Sequence, residues 1–251
     1  MNNFTTVNVI KASGEYEPFS EEKVRSSLKR AGADQNLIAR VLSHIKGELY
    51  EGIPTQKIYA HIFDILRHER ASISSRYNLK EAIMQLGPTG FPFERFVAGI
   101  FAVNGYEVAV DKIAQGKCVA HEIDVVAQKD GRNFMIECKY HNRPGTKTDV
   151  KVALYVQARF LDVQNFFNQG WLVTNTKATI EACDYAQCVG LKLISWDWPA
   201  GESLRDLIEK SGLHPVTSLD FLSHGDKQML LAKGIVFQKD LPKDYLKERK
   251  E

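Results

Sequence analysis

Two acidic residues and a lysine in the middle of the chain have the types and spacing of a phosphodiester-cleaving site. Asp124 lies in an apolar run typical of a strand, and Glu137 and Lys139 end a second such run after a turn at 129–132. Side chains alternate along a strand, so Glu137 and Lys139 point to one face, and a hairpin can bring Asp124 beside them. Two carboxylates and an ammonium group on one face can hold Mg²⁺ or Mn²⁺ and activate an attacking water.

The apolar neighbours of Asp124 strengthen this interpretation. A carboxylate in such a strand is costly unless it is paired or bound to a metal. Glu-x-Lys by itself could equally be a pair of exposed strand charges. The conjunction of all three residues is what favours a site.

The elements around these residues predict an α/β domain over 91–198. In chain order they are a helix at 93–104, strands at 106–110, 122–127 and 133–140, a helix at 149–167, a strand at 170–174, a helix at 177–189 and a strand at 191–195. This order predicts a mixed sheet flanked by helices. The last two strands are mostly apolar, which is typical of buried parallel strands.

Two further segments flank this domain. Residues 6–86 predict a small, mostly helical module that begins with a strand, and glycines and prolines at 87–92 predict a linker after it. Residues 199–251 predict a short helical tail. The glycines at Gly212 and Gly234 give the tail some features of DNA-binding helix-hairpin-helix units, but packing of its helices on the preceding domain is the interpretation we favour.

Composition is that of an ordinary globular protein. The 251 residues carry a net charge of +2, with 44% hydrophobic and 25% charged residues, so charge alone does not indicate nucleic acid. The four cysteines have neither zinc-ligand nor disulfide-scaffold spacing. Without a signal peptide or a long apolar run, the sequence predicts a cytoplasmic protein that does not contact a membrane.

The segments 122–127 and 134–139 resemble the motifs of the PD-(D/E)xK nuclease superfamily, most closely those of Mrr-like, type IV restriction endonucleases. Phe93-Glu94-Arg95-Phe96 agrees with a helical acid of that group, and Leu154-Tyr155-Val156-Gln157-Ala158 with its helical glutamine. The resemblance covers 91–198. Ile123 stands where the name of the superfamily has proline, a position that varies.

This resemblance implies DNA cleavage and a role for each matching residue. The implied metal ligands are Asp124, Glu137, Glu94 and the carbonyl of Cys138. The implied catalytic residues are Lys139, Asp124, Glu137, Gln157 and Glu94. Lys139 would orient the water or stabilise transition-state charge, and Gln157 would position the water or Lys139. Cationic residues beyond the motif predict contacts to DNA phosphates, although they could instead line a solvated loop: His141, Arg143, Lys147 and Lys151.

The segment 9–24 resembles the ATP-cone, a nucleotide-binding regulatory domain, and this resemblance covers 6–86. It implies ATP or dATP as an effector, bound by Lys11, Glu17, Lys23, Ile53, Thr55 and Lys80. The lysines would contact phosphates, Glu17 would fix the nucleotide, and Ile53 and Thr55 would line the base pocket. Ala12 replaces a basic residue often found there, and a cone that pairs subunits without nucleotide is the alternative.

The sequence therefore predicts a restriction-like DNA endonuclease that depends on Mg²⁺ or Mn²⁺ and responds to an adenine nucleotide, acting as a homo-oligomer, most simply a dimer. One alternative is a nucleotide-sensing DNA-binding regulator with an inactive nuclease fold, against which the intact Asp124, Glu137 and Lys139 argue. The other is an RNase or a junction resolvase, because a metal site recognises only the phosphodiester.

Overall fold

The computed structural model describes residues 7–247, and the chain divides into two compact units, Met1–Leu79 and Lys80–Glu251. Thr6 and residues 248–251, which the predicted module and tail include, lie outside the described residues. The module was predicted to reach residue 86, whereas the first unit ends at Leu79. Residues beyond this point belong with the second unit, where the hydroxyl of Thr217 donates to the carbonyl of Ala82.

The first unit is a small sheet covered by helices. Its elements are β1 (Asn8–Ile10), β2 (Tyr16–Pro18), α1 (Glu21–Arg30), α2 (Gln35–Glu48), β3 (Ile53–Pro54), α3 (Thr55–Glu69) and α4 (Ala71–Tyr77). The strand order is β2-β1-β3, with β2 antiparallel and β3 parallel to β1. Ser20 caps α1 and Asp34 caps α2 through side-chain oxygens. Buried aliphatic residues of the helices form the core.

The second unit has the predicted α/β architecture. Its elements are α5 (Leu79–Met84, which begins at the boundary), α6 (Phe91–Val103), β4 (Glu107–Gln115), β5 (Ala120–Lys129), β6 (Arg132–Lys139), β7 (Lys147–Thr148), α7 (Val150–Val163), β8 (Gln169–Thr174), β9 (Lys177–Ala178), α8 (Ile180–Val189) and β10 (Lys192–Ile194). The five-stranded sheet has the order β10-β8-β6-β5-β4. Strands β10, β8 and β6 are parallel, and β6, β5 and β4 are antiparallel.

The hairpin between β5 and β6 fixes the register of the predicted site. Asp130 and Gly131 have φ values of 51° and 72°, which is the left-handed backbone that a tight two-residue hairpin needs. This turn pairs Lys129 with Arg132 and carries the register on to Val125 and Ile136. The predicted turn at 129–132 thus sets which side chains of the two strands face each other.

The tail consists of α9 (Leu204–Ser211), α10 (His224–Ala232) and α11 (Asp244–Lys247), with 3₁₀ turns at Val216–Ser218 and Gln238–Asp240. The rings of Phe237 and Phe96 lie 5.1 Å apart, so the tail packs on α6. Across the part of the chain that the structure describes, no helix combines the length and the apolar character needed to cross a bilayer.

Candidate catalytic site

Strands β5 and β6 bring Asp124 and Glu137 together. Their ladder pairs Val125 with Ile136, and the next pair in that register is Asp124 with Glu137, whose side chains therefore share a face. One carboxylate oxygen of Asp124, Oδ2, accepts a 2.7 Å hydrogen bond from the backbone N–H of Cys138. The hairpin thus holds the first two predicted ligands side by side.

A further carboxylate, Asp111, enters from β4. The β4–β5 register pairs Val110 with Val125 and Lys112 with Ile123, which puts Asp111 opposite Asp124. Its φ of 51° is uncommon for a residue other than glycine. Asp111 lies close enough to Glu94 on α6 to raise the pKa of that carboxyl group. Asp111 is not among the predicted site residues, because the strand predicted from the sequence ends at residue 110, whereas β4 continues to Gln115.

The acids lie close together in a partly buried place, and this raises their pKa values. Burial, and then the negative charge of Asp124, raises the pKa of Glu94 to about 7. The same two causes raise the pKa of Glu137 to about 7. Burial also raises the pKa of Asp124, although the N–H of Cys138 opposes this shift. The cluster therefore holds more negative charge than its surroundings stabilise.

The main counter-ion of the cluster is Arg159 on α7, a residue that the sequence analysis did not identify. Its Nη1 lies 2.5 Å from Oε2 of Glu137. Its Nη2 donates to the backbone carbonyl of Glu122. The guanidinium carbon also lies 5.5 Å from the centre of the Tyr155 ring. Nothing in the sequence distinguishes Arg159 from a solvated helix arginine.

The remaining predicted catalytic residues surround this centre. Lys139 is exposed at the end of β6, and its charge lowers the pKa of Glu137. Gln157 is buried on α7, and within the described residues its Oε1 has no hydrogen-bond partner. Cys138 donates its N–H to Asp124, and burial raises the pKa of its thiol well above the usual range. A role for the Cys138 carbonyl as a ligand stays a prediction.

The carboxylates of this cluster lie near one another but do not form a complete metal-binding group. Between residues 7 and 247, no three histidine, cysteine, aspartate or glutamate side chains already stand in a metal-binding arrangement. Arg159 holds one oxygen of Glu137, and the N–H of Cys138 holds one oxygen of Asp124. The donor set of carboxylate oxygens with surplus negative charge nevertheless suits Mg²⁺ or Mn²⁺.

A second cluster, in the first unit, brings together three predicted nucleotide-binding residues. Glu17 forms ion pairs with Lys11 at 2.9 Å and with Lys23 at 3.0 Å. The hydrogen bond from Lys11 is the main cause that lowers the pKa of Glu17, and the same bond raises the pKa of Lys11. Both lysines remain accessible to solvent, so these pairs contribute little to stability.

The other predicted nucleotide-binding residues divide between the units. Ile53 is buried on β3 beside Val9, and Thr55 begins α3. Lys80 lies in the second unit, where its ammonium group is 5.8 Å from the centre of the Trp196 ring. The helix predicted at 71–85 is interrupted at Asn78, whose side chain accepts a hydrogen bond from the Tyr59 hydroxyl. This interruption separates Lys80 from the first unit.

Comparison with known proteins agrees with this division. Residues 88–199 match the restriction endonuclease family Mrr_cat, and residues 7–79 match the ATP cone domain. The chain therefore belongs to these two families in succession: an ATP cone domain is followed by a restriction endonuclease domain, which is a nuclease domain. This is the fusion that the sequence motifs predicted.

Individual relatives match more than half of the chain. An uncharacterized protein of Archaeoglobus fulgidus is 45% identical over 149 residues, 58% of this chain and 83% of the relative. The crystal structure of AF1548, a protein of unknown function, is 42% identical with a TM-score of 0.55, over 61% of this chain and 82% of that one. The DNA modification-dependent restriction endonuclease AspBHI is 15% identical with a TM-score of 0.38, over 64% and 39%; this similarity is too low to support an inference about function.

Proposed function

We propose that this protein is a restriction-like DNA endonuclease that hydrolyses phosphodiester bonds with Mg²⁺ or Mn²⁺. The observation that carries the proposal is the crowding of Asp124, Glu137 and Glu94, two of which have pKa values raised to about 7. Acids that repel one another in a half-buried site are poorly explained as structural charges. They are well explained as ligands of a divalent cation.

In this proposal Asp124 and Glu137 hold the cation, and Glu94 contacts it directly or through a water. Asp111, whose charge raises the pKa of Glu94, adds to the negative charge that attracts the cation. When bound, the ion supplies Lewis-acid activation of the phosphate and of a water. A bound cation would favour the ionised carboxylates of Glu94 and Glu137, since only the ionised forms are good ligands.

Lys139 and Gln157 act on the reacting groups around the ion. Lys139, exposed beside Glu137, orients the attacking water and stabilises the negative charge that develops on the phosphate. Gln157 positions the water or Lys139. Its buried Oε1, which finds no partner among the described residues, is free to accept a hydrogen bond from either.

Basic residues near the carboxyl ends of β6, β8 and β10 support DNA as the substrate. Lys147 and Lys177 stand opposite each other in the β7–β9 ladder, an arrangement in which like charges repel. Lys177 is paired with Asp197 at 2.6 Å, whereas Lys147 forms no ion pair within the described residues. A phosphate backbone crossing this edge would relieve the repulsion.

The first unit gives the enzyme its regulation in this proposal. ATP or dATP binds at Lys11 and Lys23, with Ile53 and Thr55 beside the base, and shifts the oligomeric state and with it the cleavage rate. The support is the match to the ATP cone domain and the clustering of both lysines on Glu17. Contact of Lys80, the first residue of the second unit, with the phosphates stays a prediction.

A cleavage panel tests the proposed function. Plain, methylated and branched DNA and RNA of one sequence are incubated with Mg²⁺, with EDTA, and with Mg²⁺ plus ATP. We expect cleavage of at least one DNA with Mg²⁺, none with EDTA, and a rate that ATP changes. Cleavage confined to RNA or to branched DNA would favour the RNase or resolvase alternative. Absence of metal-dependent cleavage of every substrate would contradict the proposal.

A further inference from the structure

Arg159 contacts Glu137, one of the two carboxylates proposed to hold the cation. Its guanidinium group contacts Oε2 of Glu137 at 2.5 Å, and both side chains are largely buried, with exposed fractions of 12% and 16%. A second contact, to the carbonyl of Glu122, anchors the group on β5 as well as β6. Arg159 thus bridges the two strands that carry the proposed ligands.

A divalent ion and this guanidinium group compete for the negative charge of the same carboxylate. Glu137 has two carboxylate oxygens, and one of them is already committed to Arg159. Two cations on one carboxylate in a half-buried site repel each other strongly, because the local dielectric constant is lower than that of water.

Arg159 also has a favourable neighbour that does not depend on Glu137. Its guanidinium carbon lies 5.5 Å from the centre of the ring of Tyr155, which precedes it by one helical turn and is exposed on α7. The face of an aromatic ring is a favourable neighbour for a guanidinium group. Its other anchor, the Glu122 carbonyl, is neutral, so the charges that oppose its release are those of Glu137 and Asp124.

We propose that Arg159 is a built-in occupant of the metal site, which neutralises Glu137 before a divalent cation binds and must leave Glu137 when the cation arrives. This inference rests on the proposed function, since it assumes that Glu137 is a metal ligand. It assigns Arg159 a role beyond that of a permanent structural partner. Metal binding and release of the arginine become one coupled event, and the strength of the arginine contact sets the metal concentration at which the site fills.

The two possible roles of Arg159 predict opposite changes in metal affinity. If the arginine competes with the ion, Arg159→Gln removes the competitor and Mn²⁺ binds more tightly. If the arginine only holds Glu137 in position, the same change loosens the ligand and weakens binding. Partners of metal ligands change affinity by about 10- to 100-fold when mutated, so the two directions are well separated.

The test is Mn²⁺ binding to the full chain without DNA, measured by isothermal titration calorimetry. We expect Arg159→Gln to lower the Kd for Mn²⁺ by about tenfold and to increase the thermal stabilisation that Mn²⁺ gives. Arg132→Gln is the matched control, because Arg132 is an exposed arginine of β6 that lies over the Phe134 ring; its Kd should not change. Arg159→Lys, which keeps the charge but cannot bridge both strands in the same way, should give an intermediate Kd and covers the case in which the glutamine variant does not fold.

The outcomes separate this inference from the proposed function. A Kd for Arg159→Gln that is unchanged or higher, with wild-type binding that Asp124→Asn abolishes, overturns the role of Arg159 and leaves the metal site intact. Absence of Mn²⁺ binding in every protein overturns both. A lower Kd for Arg159→Gln together with an unchanged Arg132→Gln supports the exchange.

Discussion

The two units of this protein each carry a cluster of carboxylates and cations on a β-hairpin, and the clusters differ in charge balance and exposure. In the first unit Glu17 is shared by Lys11 and Lys23, and its pKa is lowered mainly by the hydrogen bond from Lys11. In the second unit Glu137 has one buried partner, Arg159, and yet burial and Asp124 raise its pKa to about 7.

This difference indicates which ligand each cluster suits. The acids of the second unit lack counter-charge in a site of low exposure, so an added cation is favourable there. The lysines of the first unit are exposed and their ion pairs are weak, so they can exchange a carboxylate for a phosphate at little cost. Similar residue types thus favour a metal ion in one unit and a polyphosphate in the other.

The largest effect is expected from a substitution at the centre of the second cluster, at Asp124. Asp124→Asn removes a charged ligand but keeps an oxygen that can accept the N–H of Cys138, so the fold should persist. We expect Mg²⁺-dependent nicking of supercoiled plasmid to fall by about 10³-fold or more. Asp130→Asn in the adjoining turn is the control, since asparagine tolerates the left-handed backbone found there. Nicking by Asp124→Asn at the rate of that control would contradict the account.

The next effect tests the first cluster. Lys11→Gln/Lys23→Gln removes the two ammonium groups proposed to bind phosphate, and ATP affinity should fall by about 100-fold or more, since each hydrogen bond to a charged group contributes about 1.5–3 kcal/mol. Fluorescent ATP titration measures the change, with the exposed Lys29→Gln of α1 as control. Mg²⁺-dependent cleavage without ATP should be unaffected. Equal ATP affinity in the double variant and the control would rule out this phosphate site.

A smaller effect concerns how DNA reaches the second cluster. Lys147→Gln/Lys177→Gln should weaken DNA binding and reduce the slope of log affinity against log salt by about 2, one for each DNA phosphate that a lysine no longer neutralises. Fluorescence anisotropy in Ca²⁺ at several salt concentrations measures both quantities. Lys112→Gln/Lys117→Gln, at exposed positions on and just after the edge strand β4, should leave the slope unchanged. If the slope fell equally in both double variants, Lys147 and Lys177 would not mark a specific DNA-binding surface.

The smallest effect uses a carboxylate of the second unit that is fully satisfied. Asp162 accepts hydrogen bonds from the N–H groups of Cys118 and Val119 and pairs with His121 at 2.8 Å, and its pKa is lowered, first by the bond to His121. A folded-state pKa below the unfolded value gives stability that is present above about pH 4 and is lost as pH falls further. Urea unfolding of Asp162→Asn should therefore show a weaker dependence on pH below 4 than the wild type. If the free energy of unfolding fell equally in both proteins below pH 4, the pKa of Asp162 would not be lowered in the folded state, and the contrast with the raised pKa of Glu137 would be lost.

Much of the fold of the second unit could be predicted, because it follows from patterns among residues that are close in the sequence. Alternation in two strands and a turn between them are enough to put Asp124, Glu137 and Lys139 on one face. Asp111 was missed because the charged and polar half of β4 hides the continuation of that strand. Arg159 was missed because its partner Glu137 lies 22 residues away in sequence, and only the packing of α7 on the sheet brings them together.

The break in the helix before Lys80 could not be predicted for a different reason. The helical pattern of residues 71–85 is continuous in the sequence, and nothing in it marks a break. In the structure Asn78 ends α4 and binds the hydroxyl of Tyr59, so a tertiary hydrogen bond decides where the helix stops. Helix periodicity reports burial along one face and carries no information about such a contact.

The most direct test of the central claim is to locate Mn²⁺ in crystals of the full chain by anomalous scattering. The account predicts a peak within about 2.0–2.3 Å of carboxylate oxygens of both Asp124 and Glu137, at the distances usual for such ions, with Arg159 no longer on Glu137. A fully occupied Mn²⁺ elsewhere, with the 2.5 Å contact between Arg159 and Glu137 unchanged, would contradict it.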